Sequence, residues 1–167
     1  NPAFFAQVCG AIKGRLGRCR VLIIGEGDAE LKKEVRRILD QRGVTYQFAG
    51  FIPHAELPDY YARARLLFLP TSGDCWGVVI NEAMIAGTPV LTTGWTAAAG
   101  ELVRHDRNGF VLPLDVEAWA SAACGLLADE ARWQRFSARA RTDAREFDYD
   151  RAAAGIVGAF QFLRSAR

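Results

Sequence analysis

The feature that most constrains the fold is a series of short, fully apolar runs, each followed by a stretch with helical spacing. Residues 21–24 read VLII and end at Gly25, and residues 66–69 read LLFL and end at Pro70. Such runs are typical of strands buried on both faces, in a parallel sheet covered by helices on both sides. Because crossovers between parallel strands are right-handed, the sequence predicts a doubly wound α/β sheet.

The remaining elements continue the alternation of strands and helices. Asp28 is a candidate helix N-cap, and apolar residues recur after it at helical spacing until Gly43. Further strands are expected at residues 46–49, 90–92 and 109–112, and helices at 56–64, 78–86 and from 116 to the C-terminus. No linker divides the chain, so we expect one domain over residues 1–167.

Composition argues against several classes of function. Lys and Arg number 21 against 19 Asp and Glu, which gives no reason to expect a nucleic-acid partner. The four cysteines are far apart and there are two histidines, so we expect neither a structural zinc site nor a disulfide framework. Inert thiols fit a reducing cytoplasm. No apolar stretch approaches the roughly 20 residues that span a bilayer.

Candidate functional residues lie in the segment from Pro70 to Val90. Ligands of parallel α/β sheets bind at the carboxyl ends of the strands. Here a predicted strand ends at Pro70 and a helix begins near Gly77, and the free N–H groups and positive dipole end of a helix N-terminus favour a phosphate. Glu82 follows apolar residues in that helix, so its carboxylate needs donors, which the adjacent hydroxyls of a sugar supply.

Several residues have a structural as well as a functional interpretation. Asp74 follows Ser-Gly, a sequence typical of turns, so it is either a turn or cap residue or a ligand-binding acid. Trp76 either fills the core or forms a wall of the site. We expect His54 to be a cap or surface residue. The other tryptophans are expected to be packing residues: Trp95, Trp119 and Trp133.

The same segment resembles a known family. Asp74-x7-Glu82, continued by Ala-Met-x-x-Gly-Thr-Pro-Val, resembles the E-x7-E signature of retaining GT-B glycosyltransferases, family 4 (group 1) in particular. Further segments resemble motifs of that family in the correct order: residues 22–27 (LIIGEG), 46–52 (YQFAGFI), 57–64 (LPDYYARA) and 107–111 (RNGFV). The motifs cover nearly the whole chain in register, which makes the resemblance specific.

The resemblance implies the C-terminal, nucleotide-sugar-binding lobe of a two-lobed enzyme, with a Rossmann-like fold. By that resemblance Glu82 binds the ribose hydroxyls of the donor, and Asp74 addresses the hydroxyls of the transferred sugar. The remaining donor-binding residues that it implies are Ile52 beside the base, and Trp76, Gly77, Val78 and Val79 beside the phosphate and the nucleotide.

The resemblance also implies a reaction. A hexosyl group passes from a UDP-, GDP- or ADP-linked donor to a sugar or lipid-linked acceptor, with retention of configuration and with no metal or other cofactor. The acceptor is expected on the N-terminal lobe. The implied setting is polysaccharide biosynthesis in the cytoplasm, with peripheral association at the inner face of the membrane left open.

Two features depart from the family pattern. Asp74 is one methylene shorter than the usual Glu, which makes the donor sugar less predictable.

The family's first strand of this lobe, with an Arg and a Lys in the following turn, does not precede Pro2, so we expect the native chain to extend upstream of Asn1. Without that central strand of a 3-2-1-4-5-6 sheet, we expect unpaired edges in the middle of the sheet and no transfer by this chain alone.

Two other functions remain open at this point. A sugar-nucleotide 2-epimerase shares the two-lobed architecture and needs no acceptor. A non-catalytic module that binds a nucleotide or a partner protein would require neither Asp74 nor Glu82.

Overall fold

The computed structural model describes residues 1–165; Ala166 and Arg167, the end of the predicted C-terminal helical region, lie outside the described residues. In chain order the elements are α1 (Pro2–Leu16), β1 (Arg20–Ile24), α2 (Ala29–Gln41), β2 (Thr45–Gly50), a 3₁₀ turn (His54–Glu56), α3 (Leu57–Arg63), β3 (Leu67–Leu69), α4 (Val78–Ile85), β4 (Val90–Thr92), β5 (Gly109–Val111), α5 (Val116–Ala128), α6 (Glu130–Ala144) and α7 (Tyr149–Ser165). The parallel strands and the helices packed on them confirm the predicted α/β fold.

The strands form two hydrogen-bonded groups. β1 pairs with β2 in a two-stranded sheet, and β3, β4 and β5 pair in that order in a three-stranded sheet, with every pairing parallel. Among residues 1–165 no strand lies hydrogen-bonded between β1 and β3. Unpaired edges between the two groups are therefore present, as the sequence predicts.

The three-stranded sheet is covered on both faces. Phe68, Leu91 and Phe110 face α1 and α5, in a core that includes the fully buried Trp119. Alternate residues of the same strands, such as Val90, face α4 and α6 together with Ile80 and Met84. Burial on both faces explains why these strands contain so few polar residues.

The two-stranded sheet differs from the prediction. Val21 and Ile23 pack beneath α1 and α2, with Val35 and Leu39 in the same core. Leu22 and Ile24 point to the other face and are 40% and 38% exposed. The expectation that the 21–24 run is buried on both faces is therefore wrong, because no helix among residues 1–165 packs against its second face.

Helix α1 connects the two sheets. Its Ala6 and Cys9 pack into the core of the two-stranded sheet, whereas Val8 and Ile12 pack against α5 in the core of the three-stranded sheet. The ring of Phe5 also contacts Phe68 of β3, with centroids 5.7 Å apart. The amino end of α1 lies at the carboxyl edge of β3, since Asn1 Nδ2 donates to the carbonyl of Pro70 at 2.8 Å.

Helix α7 is packed differently from the other helices. None of its residues is buried, and its large apolar side chains are 54–89% exposed. These side chains are Tyr149, Ile156, Val157, Phe160, Phe162 and Leu163. Among residues 1–165, no helix has the length and apolar content needed to cross a bilayer.

Candidate functional site

The best-defined polar cluster surrounds Glu82, in the second turn of α4. Its side chain is 22% exposed. The hydroxyl of Tyr61 donates to Glu82 Oε2 at 2.8 Å, and Nε2 of His54 lies 3.0 Å from Oε1. Tyr61 comes from α3 and His54 from the turn after β2, so three elements meet at one carboxylate.

The position of Tyr61 is fixed by packing and by its backbone. Its ring packs against the core formed by Ile80, Ala83 and Met84, and its carbonyl accepts a hydrogen bond from the buried Thr88 hydroxyl at 2.6 Å. Burial, and then the hydrogen bond to Glu82, raise the pKa of the Tyr61 phenol. The phenol therefore stays protonated and donates to the carboxylate throughout the neutral range.

A cavity of about 240 Å³ lies beside this cluster, between α3 and α4. Leu57, Pro58 and Ile85 form apolar walls, and Glu82 and His54 also border the cavity. A carboxylate at the edge of an apolar cavity is suited to a ligand that presents hydroxyl donors beside an apolar surface.

Asp74 forms the turn that its sequence predicts. Its Oδ1 accepts from the backbone N–H groups of Trp76 at 3.0 Å and Gly77 at 2.7 Å. Its own N–H donates to the carbonyl of Trp95 at 3.0 Å, which ties the loop after β3 to the loop after β4. Among residues 1–165 no hydrogen bond goes to Oδ2, so one oxygen of this exposed carboxylate is open to a ligand. Whether it binds one stays a prediction.

The N-terminus of α4 opens at the same edge of the sheet. Its N-cap is Gly77, which has a left-handed backbone (φ 81°) and no side chain to cap the helix, and among residues 1–165 Asp74 Oδ1 accepts from the Gly77 N–H but from neither Val78 nor Val79. The first amides of the helix, those of Val78 and Val79, are therefore available to an anion. Val78 is 57% exposed, so its surroundings are accessible to a ligand.

Two of the predicted donor-binding residues are anchored in the protein. Trp76 packs against Phe147, with ring centroids 5.5 Å apart, and its Nε1 donates to Asn81 Oδ1 at 2.6 Å. The Trp76 side chain therefore fills the core, which is one of the two interpretations that its sequence allows. Ile52 is 8% exposed as a whole residue, so its side chain is packed in the protein. Neither arrangement tests whether these residues bind a donor.

Sequence reasoning missed three features of this edge. His54 is a surface residue, as expected, but it also contacts Glu82, and no role in the site was predicted for Tyr61. Trp95, which was expected to pack, is 69% exposed. Its carbonyl accepts from the Asp74 N–H in the loop after β3, so its backbone is held while its side chain is exposed. For Trp119 and Trp133 packing is confirmed: Trp119 is fully buried, and Trp133 packs under the guanidinium of Arg65, 3.7 Å from its ring centroid.

The remaining side chains at this edge do not indicate a further type of binding site. Cys75 is exposed in the loop beside Asp74. Within residues 1–165, no three His, Cys, Asp or Glu side chains converge in a geometry that would hold a metal ion. The chemistry that this site offers is therefore carboxylate acceptors, backbone amides and the positive end of a helix dipole.

Comparison with known families gives a match over most of the chain. The family model described as "Glycosyl transferases group 1" matches residues 1–129. The chain is 32% identical over 149 residues to a D-inositol 3-phosphate glycosyltransferase from Xylanimonas cellulosilytica, a match that covers 84% of this chain and 35% of that protein. The chain spans about a third of the length of most curated relatives that it matches.

Solved structures share the fold. The C-terminal domain of a group 1 glycosyl transferase family protein (LpcC) from Francisella tularensis is similar, with a TM-score of 0.76 and 20% identity, over 86% of this chain and 76% of that chain. The Anabaena protein HepE, solved in complex with UDP and glucose, has a TM-score of 0.77 and 22% identity, over 94% of this chain and 44% of that chain.

Proposed function

Since the chain belongs to the group 1 glycosyl transferases, we propose that it forms the donor-binding part of an enzyme that transfers a hexosyl group from a nucleotide-sugar, with retention of configuration. The observation that carries the proposal is the Glu82 carboxylate, held by Tyr61 and His54 at the edge of a cavity, one helical turn from the open N-terminus of α4. Carboxylate and helix terminus match the two polar parts of a nucleotide, its ribose and its phosphates.

In this proposal the ribose, the phosphates and the base of the donor each contact different residues. Glu82 accepts hydrogen bonds from the ribose hydroxyls, and the amides of Val78 and Val79 bind the phosphates at the N-terminus of α4. Gly77 has no Cβ, which lets the backbone approach the phosphate. A side chain is also excluded there by packing, since a Cβ would lie 3.0 Å from Ile80 Cδ1. The base lies beside the backbone of Ile52.

The transferred sugar lies beside Asp74, whose Oδ2 accepts hydrogen bonds from its hydroxyls. Trp76 acts through its backbone and by fixing the loop, because its indole is held by Phe147 and Asn81. As the bond between sugar and diphosphate breaks, the helix dipole stabilises the charge on the departing diphosphate without a metal ion. HepE, whose structure holds UDP and glucose, supports a nucleotide-sugar as the donor.

The acceptor, a sugar or a lipid-linked sugar, is bound by a part of the protein other than this lobe. The relative named above acts, by its name, on D-inositol 3-phosphate, and this supports a hydroxyl-bearing acceptor. We place the reaction in the cytoplasm, in polysaccharide biosynthesis. Because the acceptor surface lies elsewhere, the 167-residue chain is expected to bind donor and to transfer nothing.

Calorimetric titration tests the binding part of the proposal. The chain is titrated with UDP-glucose, GDP-mannose and ADP-glucose, alongside the variants Glu82→Ala and Glu34→Ala. One nucleotide class is expected to bind, with affinity about tenfold to a hundredfold lower in Glu82→Ala, since hydrogen bonds to a charged group are worth about 1.5–3 kcal/mol. Glu34→Ala, which changes an exposed acid on α2, controls for charge. Binding that Glu82→Ala leaves unchanged would favour a non-catalytic module.

A second variant tests the role of Asp74. Asp74→Asn keeps an oxygen that can accept from the Trp76 and Gly77 amides, but it removes the negative charge offered to the sugar. We expect it to weaken binding of the nucleotide-sugar and to leave binding of the free nucleoside diphosphate unchanged. An equal loss for both ligands would show that Asp74 acts only through the turn.

Product analysis with the full-length protein tests the reaction itself. A glycosyltransferase gives a product only with an acceptor present, whereas a 2-epimerase converts the nucleotide-sugar without one. Proton NMR of the glycoside gives its anomeric configuration, and inversion would contradict the retaining mechanism.

A further inference from the structure

We propose that Tyr61 is a positioning residue, which orients the Glu82 carboxylate so that the site selects ribonucleotides over 2′-deoxyribonucleotides. The inference rests on the proposed function, because it takes the ribose of the donor as the ligand of Glu82. It adds a residue from a different helix to the recognition of that ribose.

The two side chains differ in how firmly they are held. Tyr61 packs against Ile80 and Met84, and its carbonyl is bound by the Thr88 hydroxyl, so the phenol has little freedom to move. A glutamate has three rotatable side-chain bonds, and Glu82 lies at the edge of a cavity. The hydrogen bond from Tyr61 to Oε2, at 2.8 Å, therefore restricts rotation of the Glu82 carboxylate, because the phenol that donates it is fixed by the core.

The hydrogen bond leaves enough acceptor capacity for a ribose. Each carboxylate oxygen has two lone pairs, and Tyr61 uses one of those on Oε2. The remaining lone pairs point in fixed directions, and a 2′,3′-diol can donate to both oxygens. Fixing the carboxylate before the ligand arrives saves the cost of immobilising a flexible side chain, which corresponds to about a threefold to tenfold change in affinity.

His54 makes the second contact, but it is not held in the same way. Its side chain is 84% exposed, so water competes for the 3.0 Å contact with Glu82 Oε1. We therefore assign the orientation of the carboxylate to Tyr61 and expect a smaller effect from His54.

The test compares ribonucleotides with 2′-deoxyribonucleotides. Wild-type chain, Tyr61→Phe and Tyr60→Phe are titrated with UDP, GDP and ADP and with their 2′-deoxy counterparts. Tyr60 precedes Tyr61 in α3 and makes no side-chain hydrogen bond among residues 1–165, so it is a matched control. The measured quantity is the dissociation constant of the deoxynucleotide divided by that of the ribonucleotide.

We expect this ratio to fall about threefold to tenfold in Tyr61→Phe, the range that the cost of immobilising one flexible side chain produces, and to stay unchanged in Tyr60→Phe. A structural role for Tyr61 would weaken both nucleotides equally and leave the ratio unchanged, and that result would overturn the proposal. Thermal unfolding by circular dichroism verifies that both variants fold.

The variant Glu82→Ala distinguishes failure of the proposed function from failure of the role assigned to Tyr61. If Glu82→Ala leaves binding of every nucleotide unchanged, the proposed function and this inference both fail. If it abolishes the preference for ribose while Tyr61→Phe leaves the ratio unchanged, only the role of Tyr61 fails. In the double variant the ratio is expected to equal that of Glu82→Ala alone, because Tyr61 acts through Glu82. A further decrease would contradict the proposal.

Discussion

At the scale of single residues, Gly77 is the position where substitution by the smallest side chain has a predictable cost. Its φ of 81° lies in the left-handed region, and an added Cβ would meet Ile80 Cδ1 at 3.0 Å and Leu69 Cδ2 at 3.2 Å. We predict that Gly77→Ala lowers the free energy of unfolding by about 1–3 kcal/mol, measured by urea denaturation.

Gly73→Ala provides the control for this prediction, because Gly73 lies in the same loop with no atom within 4 Å of an added Cβ. Its free energy of unfolding is expected to stay within about 0.5 kcal/mol of the wild type. Equal effects of the two substitutions would show that the loop tolerates a side chain at Gly77.

The residues of the site divide into those that sequence predicts and those that it cannot. Glu82 is predictable, because a carboxylate among apolar residues in a helix needs partners. Its partners in the protein precede it by 28 and 21 positions and come from separate elements. The contacts of His54 and Tyr61 depend on how α3 docks against α4, and no local pattern records that docking.

At the scale of elements, Asp28 shows how one side chain begins a helix. Its Oδ1 accepts from the N–H groups of Glu30 and Leu31, both at 3.0 Å. We predict that Asp28→Ala lowers the free energy of unfolding by about 1 kcal/mol, the usual worth of such a cap. Glu34→Ala, an exposed acid in the same helix, is expected to change it by less than about 0.5 kcal/mol. Similar losses in both variants would assign the effect to net charge.

Helix α7 is expected to be the least stable element. It is 17 residues long with no buried residue, whereas the 15-residue α6 buries Phe136, Ser137, Ala140 and Ala144. An unpacked helix of this length is marginal in water, because most helical stability comes from a packed apolar face. We predict that amides of α7 exchange with deuterium much faster than those of α6, measured by mass spectrometry at low protein concentration. Equal protection would contradict this prediction.

Three elements are predicted closely from the sequence, whereas α1 is not predicted at all. The predicted bounds of α4, β4 and β5 agree with the structure to within one residue. The 15 residues of α1 pack on two sides, with Ala6 and Cys9 against one sheet and Val8 and Ile12 against the other. Apolar residues therefore spread around the helix, and the amphipathic period that identifies α2 is weak in α1.

At the scale of the whole molecule, the site joins the two sheets. His54 follows β2 of the two-stranded sheet, and Glu82 follows β3 of the three-stranded sheet. No backbone hydrogen bonds between strands connect these sheets among residues 1–165. They are connected by α1, which packs in both cores, and by the contacts of His54 and Tyr61 with Glu82. The geometry around Glu82 therefore depends on a helix on the opposite side of the sheets from α4.

The last prediction tests this connection by weakening it. Ile12→Ala removes a 3% exposed side chain that packs with Trp119 and Ala123 of α5. Deleting such a side chain costs about 2–5 kcal/mol, and here the cost falls on the contact between the two sheets. All four tryptophans lie between residues 76 and 133, beyond the two-stranded sheet. Trp119 also contacts Phe4 of α1, so the fluorescence reports mainly the three-stranded part with its contact to α1, whereas far-ultraviolet circular dichroism reports every helix. We predict that circular dichroism is lost at lower urea concentration than fluorescence in Ile12→Ala.

The same substitution at Ile156, which is 61% exposed in α7, is expected to leave both transitions unchanged. A coincident shift of both signals in Ile12→Ala would mean that the two sheets unfold as one cooperative unit, and that α1 is part of a single core rather than a connection between two.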